Sequence, residues 1–149
     1  MKGLILILAT LGAFVLSCQE LPKEYRGEEG KKKLQRYKNQ FIKGTIYVDD
    51  SLKDKLPKED FFLIISVRDL KNPAPVAVVR VKNPEFPFKF KVTGKDKISP
   101  ERFIEGELIV RARISKSPMA ETQKGDLIGS TNAKAGDRNV KLVINTEVE

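Results

Sequence analysis

The sequence predicts an all-β domain, a small antiparallel immunoglobulin-like β-sandwich of six to seven strands, placed after a signal peptide and a flexible tether. Three observations predict it. From Phe41 onward, short runs rich in β-branched and aromatic residues recur, and most alternate apolar and polar at period two. Proline or glycine stands at or beside the breaks between runs. The only helix candidates in this region, Asp50 to Leu56 and Ser99 to Phe103, are short. Six or seven strands in the 109 residues of 41–149 fit a sandwich. The Cys…Trp…Cys hallmark of antibody domains is absent, and a small barrel is the alternative.

The amino terminus reads differently. Met1 and Lys2 give a short positive start, and an apolar run follows from Leu4 to Leu16. Its thirteen residues suit a signal-peptide core and fall short of the roughly 20 that cross a bilayer. The run ends on Val15-Leu16-Ser17-Cys18, which resembles a lipobox, with small Ser17 before the cysteine. Val15 stands where Leu is more usual, and Leu16 is bulkier than the common Ala or Ser. Residues 1–17 are therefore expected to be a lipoprotein signal peptide and Cys18 the lipidation site. Acyl chains on Cys18 would fix the chain to a membrane, since each buried CH₂ is worth about 0.8 kcal/mol.

Residues 18–40 read as the lipidated cysteine and a charged tether. Gln19 to Gln40 carries seven Lys or Arg and four Glu, with apolar residues too sparse for a core. Such a segment stays mobile or forms a frayed helix. Lys31-Lys32-Lys33 either rests on anionic lipid or simply solvates a spacer, and the spacer is the simpler reading.

The expected strands follow in order. Phe41 to Val48 places Ile42, Gly44, Ile46 and Val48 on one face. Asp60 to Arg68 is nearly all apolar and reads as a central strand. Val76 to Lys82 is the third. Phe86 to Thr93 is the clearest, with Phe86, Phe88, Phe90 and Val92 inward and Lys89 and Lys91 outward. Glu107 to Ser115 sets Leu108, Val110, Ala112 and Ile114 against Arg111 and Arg113. Asn139 to Thr146 closes the domain, and a short seventh strand is expected near Leu127-Ile128.

Composition narrows the function. The sequence has no histidine and one cysteine. Imidazole acid–base work, His-ligated metal or haem, Ser-His-Asp or Cys-His catalysis and an internal disulfide are thereby excluded. No metal, cofactor or catalytic residue is assigned, and the chain is expected not to be an enzyme. Asp49 and Asp50 are adjacent and point apart if extended, so they form no acid–base pair. Asp126 reads as a turn residue bonding its own backbone, and Met119 as a packing residue.

A net charge of +8 points to an acidic partner. Arg80, Lys89, Lys91, Arg111, Arg113 and Lys141 alternate with core positions and are read as one basic sheet face. Arg80, Arg111, Arg113, Lys89 and Lys91 are the candidate partner-binding residues. The simpler reading is a solvated face whose lysines guard an exposed edge. Nucleic acid is not expected as a partner: the aromatics alternate into the core and build no stacking surface.

Seven pieces, in order, resemble the carboxy-terminal periplasmic immunoglobulin-like domain of CcmI/CycH-type cytochrome c biogenesis factors. They are Gly44-Thr-Ile-Tyr-Val48 with Ser51-Leu52, Asp60-Phe-Phe-Leu63, Pro75-Val-Ala-Val-Val-Arg80, Phe86-Pro87, Val110-Arg-Ala-Arg-Ile-Ser-Lys-Ser117, Gly125-Asp-Leu-Ile-Gly-Ser130 and Val140-Lys-Leu-Val-Ile144. The Ala-Arg-Ile-Ser piece about ten residues before Gly-Asp-Leu is the most specific. The resemblance spans about 105 residues and implies a non-catalytic domain linked to c-type cytochrome maturation. In that family, capture of apocytochrome is assigned mainly to tetratricopeptide repeats, which this sequence lacks, so the fold carries over better than peptide binding. The expected function is a membrane-anchored interaction module facing the periplasm, its partners being cytochrome c maturation proteins or apocytochrome. The alternative is a general envelope lipoprotein with a structural or adhesive sandwich domain unrelated to haem chemistry. Gln19 after the cysteine hints at the outer membrane, whereas cytochrome assembly occurs at the inner one.

Overall fold

The computed structural model describes residues 22–149; the expected signal peptide and Cys18 lie outside the described residues. Pro22 to Gln35 falls in one unit, and Arg36–Glu149 forms the other. Among the described residues no helix is long and apolar enough to cross a membrane.

Of the two states expected for the tether, the helix is the one observed: α1 runs Gly27–Lys38. Glu28 and Glu29 in its first turn and Arg36 and Lys38 in its last complement the helix dipole. The last turn belongs to the β-rich unit. There Arg36 lies 3.9 Å over the Phe103 ring and donates to Glu105 at 2.7 Å, and the Tyr37 ring meets Phe103 edge-on at 5.8 Å. The Gln40 side chain donates to the Ile104 carbonyl (2.8 Å) and accepts from the Ile104 N–H (3.0 Å). The domain therefore begins a few residues before the expected Phe41.

Eight strands follow: β1 (Phe41–Val48), β2 (Phe62–Asp69), β3 (Ala77–Lys82), β4 (Phe88–Thr93), β5 (Glu107–Ser115), β6 (Leu127–Lys134), β7 (Val140–Ile144) and β8 (Thr146–Glu147). They make a three-stranded sheet, β4-β1-β7, and a five-stranded sheet, β3-β2-β5-β6-β8. The five-stranded sheet is antiparallel throughout, whereas β1 pairs antiparallel with β4 and parallel with β7. Alternation fixes which face a residue takes and carries no information on strand direction, so the parallel pair had no signature.

One core lies between the sheets. β1, β4 and β7 contribute Ile42, Ile46, Phe90, Val92, Leu142 and Ile144; β2, β5 and β6 contribute Leu63, Ile65, Val67, Leu108, Val110, Ile114 and Leu127. Each large aliphatic side chain buried there stabilises the fold by about 1.5–3 kcal/mol relative to exposure. The chain changes sheets at Asn145, between β7 and β8.

Two expectations are corrected. β6 runs eight residues rather than the short stretch expected near Leu127-Ile128. Gly129 and Asn132 disfavour strands and only Thr131 in this stretch favours them, but β6 is held by β5 on one side and β8 on the other. Ser99 to Phe103 is a turn, not a helix, whereas Asp50–Lys55 does form a 3-10 helix capped by Asp49.

Candidate interaction surfaces

The loop between β5 and β6 folds back over the outer face of the five-stranded sheet, and arginines from the sheet hold it there. Arg113 on β5 donates through Nη1 to the Glu121 carbonyl (3.0 Å) and to Asp126 Oδ2 (2.8 Å), and through Nη2 to the Met119 carbonyl. Arg80 Nε donates to the Pro118 carbonyl at 3.1 Å, and Arg111 Nη2 to Thr122 Oγ1 at 3.1 Å. Asp126 also accepts the Gln123 N–H at 2.9 Å, the local turn bond expected of it.

This overturns part of the expected basic face. Arg113 does point away from the core, but the loop covers it, and it is only 4% exposed. Its charge is neutralised by Asp126, so it is unavailable to a partner. Met119 is not a packing residue: it is 63% exposed, and its backbone carbonyl is what the structure uses.

Beside this loop lies a groove of about 610 Å³. Its floor follows from strand register. Ile64 on β2 sits between Arg80 on β3 and Arg113 on β5, and Ser66 sits between Val78 and Arg111. Arg68 pairs with Ile109, and Arg111 with Ser130 on β6. Pro73 and Pro75 line it on one side, Ala120 and Thr122 on the other. Arg102 positions the proline segment by donating to the Ala74 carbonyl (2.9 Å), the Pro75 carbonyl (3.1 Å) and Asp69 (2.9 Å).

The groove lining contains four arginines and no carboxylate. Arg113 is spent on Asp126. Arg80 and Arg111 each spend one donor nitrogen on the loop, and Arg68 makes no hydrogen bond or ion pair with any described residue. Among the described residues, three guanidinium groups therefore keep donors without a partner over the Ile64, Val78 and Ile109 floor. The sequence reading found Arg80 and Arg111 and missed Arg68, which ends a nearly all-apolar run; stepping by two from Ile64 through Ser66 to Arg68 would have placed it.

Lys89 and Lys91 lie elsewhere. They project from β4 on the outer face of the three-stranded sheet, with Lys43 and Thr45 of β1 and Lys141 of β7. The single basic face expected from alternation is thus two faces on opposite sheets, because alternation separates in from out without saying which sheet a strand joins.

Among the described residues no cluster of three or more Asp, Glu, Cys or His could hold a metal ion. The carboxylates held below their ordinary range are structural. Asp69 is lowered by its bond to Arg102 and then by the Asn72 N–H, and Asp60 by Asn83 and then Lys82.

Residues 42–145 match the family described as the cytochrome c-type biogenesis protein H Ig-like domain. Along its 149 residues the chain is 53% identical to an uncharacterized protein of Aquifex aeolicus (strain VF5), covering 100% of this chain and 97% of that one. Among solved structures, an alternative pilotin from the type II secretion system of Vibrio cholerae is similar at TM-score 0.46 and 15% identity, over 74% of this chain and 97% of that chain.

Proposed function

We propose that this chain, which belongs to the family of the cytochrome c-type biogenesis protein H Ig-like domain, is a non-catalytic, membrane-anchored interaction module of c-type cytochrome maturation. The anchor would be lipid on Cys18, with the β-rich unit facing the periplasm. The observation that carries the reading is the family match, which covers nearly all of the β-rich unit. Absence of histidine and the single cysteine support a binding role over a chemical one.

The groove of the five-stranded sheet indicates how such a module would bind. Guanidinium forks recognise carboxylates by paired, directional hydrogen bonds. The floor of Ile64, Val78 and Ile109 would cover apolar side chains between those carboxylates. The partner is therefore an acidic, partly apolar protein segment, belonging to a maturation component or to apocytochrome. Each charge-assisted bond made there is worth about 1.5–3 kcal/mol.

Mild-detergent affinity purification of the intact protein, read by mass spectrometry, tests this. Enrichment of haem-lyase components or apocytochrome that is lost in Arg68→Glu/Arg111→Glu is the expected result. Recovery of unrelated envelope proteins alone would contradict the cytochrome assignment.

A further inference from the structure

We infer that the outer face of the three-stranded sheet docks on an anionic phospholipid bilayer. The outward positions of β1, β4 and β7 include Lys43, Lys89, Lys91 and Lys141, and none carries a carboxylate. Lys43 is directly opposite Lys91 in the β1–β4 ladder, and Thr45 separates Lys89 from Lys141 in one row across the sheet. Facing strands lie about 5 Å apart, so these ammonium groups crowd one another, which opposes folding. None of the four forms an ion pair with a described residue.

The aromatic residues on this face make it a platform. Arg138 and Lys43 lie 4.8 and 5.5 Å from the Phe41 ring centroid, and Lys141 lies 5.3 Å from that of Tyr47. These cations lie over the ring faces, so the rings hold positive charge on this surface without neutralising it. Tyr47, 37% exposed at the end of the face, is a side chain suited to a headgroup layer.

Cation type separates this surface from the arginine groove. Lysine ammonium is a compact, strongly hydrated point charge without a directional fork. A flat array of lysines without bonding geometry suits a fluid sheet of anionic headgroups better than fixed carboxylates on a protein. The inference rests on the membrane-anchored reading for its strength: a tethered face meets the bilayer at high effective concentration, so weak attraction suffices. With the lysine face on lipid, the arginine groove on the opposite sheet is turned toward the periplasm and left free for a partner.

The test is brief acetylation of the protein purified from membranes, reconstituted on phosphatidylcholine vesicles with or without phosphatidylglycerol, and read lysine by lysine by mass spectrometry. On anionic vesicles, Lys43, Lys89, Lys91 and Lys141 are expected to react several-fold more slowly, with Lys116 and Lys124 unchanged. Salt near 0.5 M, where screening acts over a few ångströms, should abolish the protection, as should Lys43→Glu/Lys91→Glu at Lys89 and Lys141. Equal rates on both vesicles would overturn the inference, as would protection that arises only on adding an acidic protein. An intact mass without acyl chains sinks the anchor and not the face, because the lysine pattern is read on the same vesicles either way.

Discussion

The Arg113 guanidinium and the Asp126 carboxylate meet at 2.8 Å with side chains 5% and 6% exposed, tying β5 to the end of the loop that crosses it. Removing one partner leaves a buried charge unpaired, which costs about 3–5 kcal/mol. Arg113→Ala and Asp126→Ala are each expected to destabilise the domain by that amount in urea denaturation. The double variant should cost clearly less than the sum, which a double-mutant cycle measures.

Two glycines set strand separations. A Cβ on Gly44 would stand 2.1 Å from the Val140 carbonyl oxygen, and one on Gly129 would stand 2.1 Å from that of Val143. Both obstacles are backbone, so the strands must move apart. Gly44→Ala and Gly129→Ala are expected to cost about 1–3 kcal/mol or more. Gly94→Ala, whose Cβ meets nothing closer than Gln40 at 3.9 Å, should change stability by under about 0.5 kcal/mol in the same assay.

The proline wall of the groove depends on a charge. Asp69 accepts from Arg102 and from the N–H groups of Lys71 and Asn72, and these bonds hold its carboxyl below the ordinary carboxylate range. A depressed folded pKa contributes stability above the unfolded value of about 3.9, lost as pH falls from there through the folded value. The melting temperature of the wild type should therefore exceed that of Asp69→Asn at neutral pH. The gap should shrink only below about pH 4. A gap constant down to the acid limit would show that the carboxylate charge contributes nothing.

Of the groove cations, Arg68 is expected to act on binding and not on folding. Arg68→Glu breaks no bond to a described residue, so its melting temperature should stay at the wild-type value while affinity for the partner falls tenfold or more, about 1.4 kcal/mol. Arg113→Ala should lose both together. Thermal melting beside a titration of purified partner separates the two cases.

Much of this was legible in the sequence for a physical reason. A sandwich buries one face of each strand, so Ile42, Ile46, Phe90, Leu108 and Leu142 had to recur at period two, and they did. Arg113 shows the limit: the pattern put it outside the core, but a covering loop leaves no period in the strand it covers. Lys89 and Arg80 show another, since which strands share a sheet is decided by pairing across long stretches of chain. Arg102 lies in a stretch whose pattern suggests a short helix, whereas the structure uses it to anchor the 70–75 segment through Asp69, Ala74 and Pro75.

The most direct measurement is covalent haem on c-type cytochromes, by haem stain, in a strain lacking this protein and complemented with wild type or with Arg68→Glu/Arg111→Glu. Haem-stained cytochrome is expected to be lost in the deletion strain, to recover with the wild type, and not to recover with the groove variant present at wild-type abundance. Undiminished cytochrome in the deletion strain would contradict it.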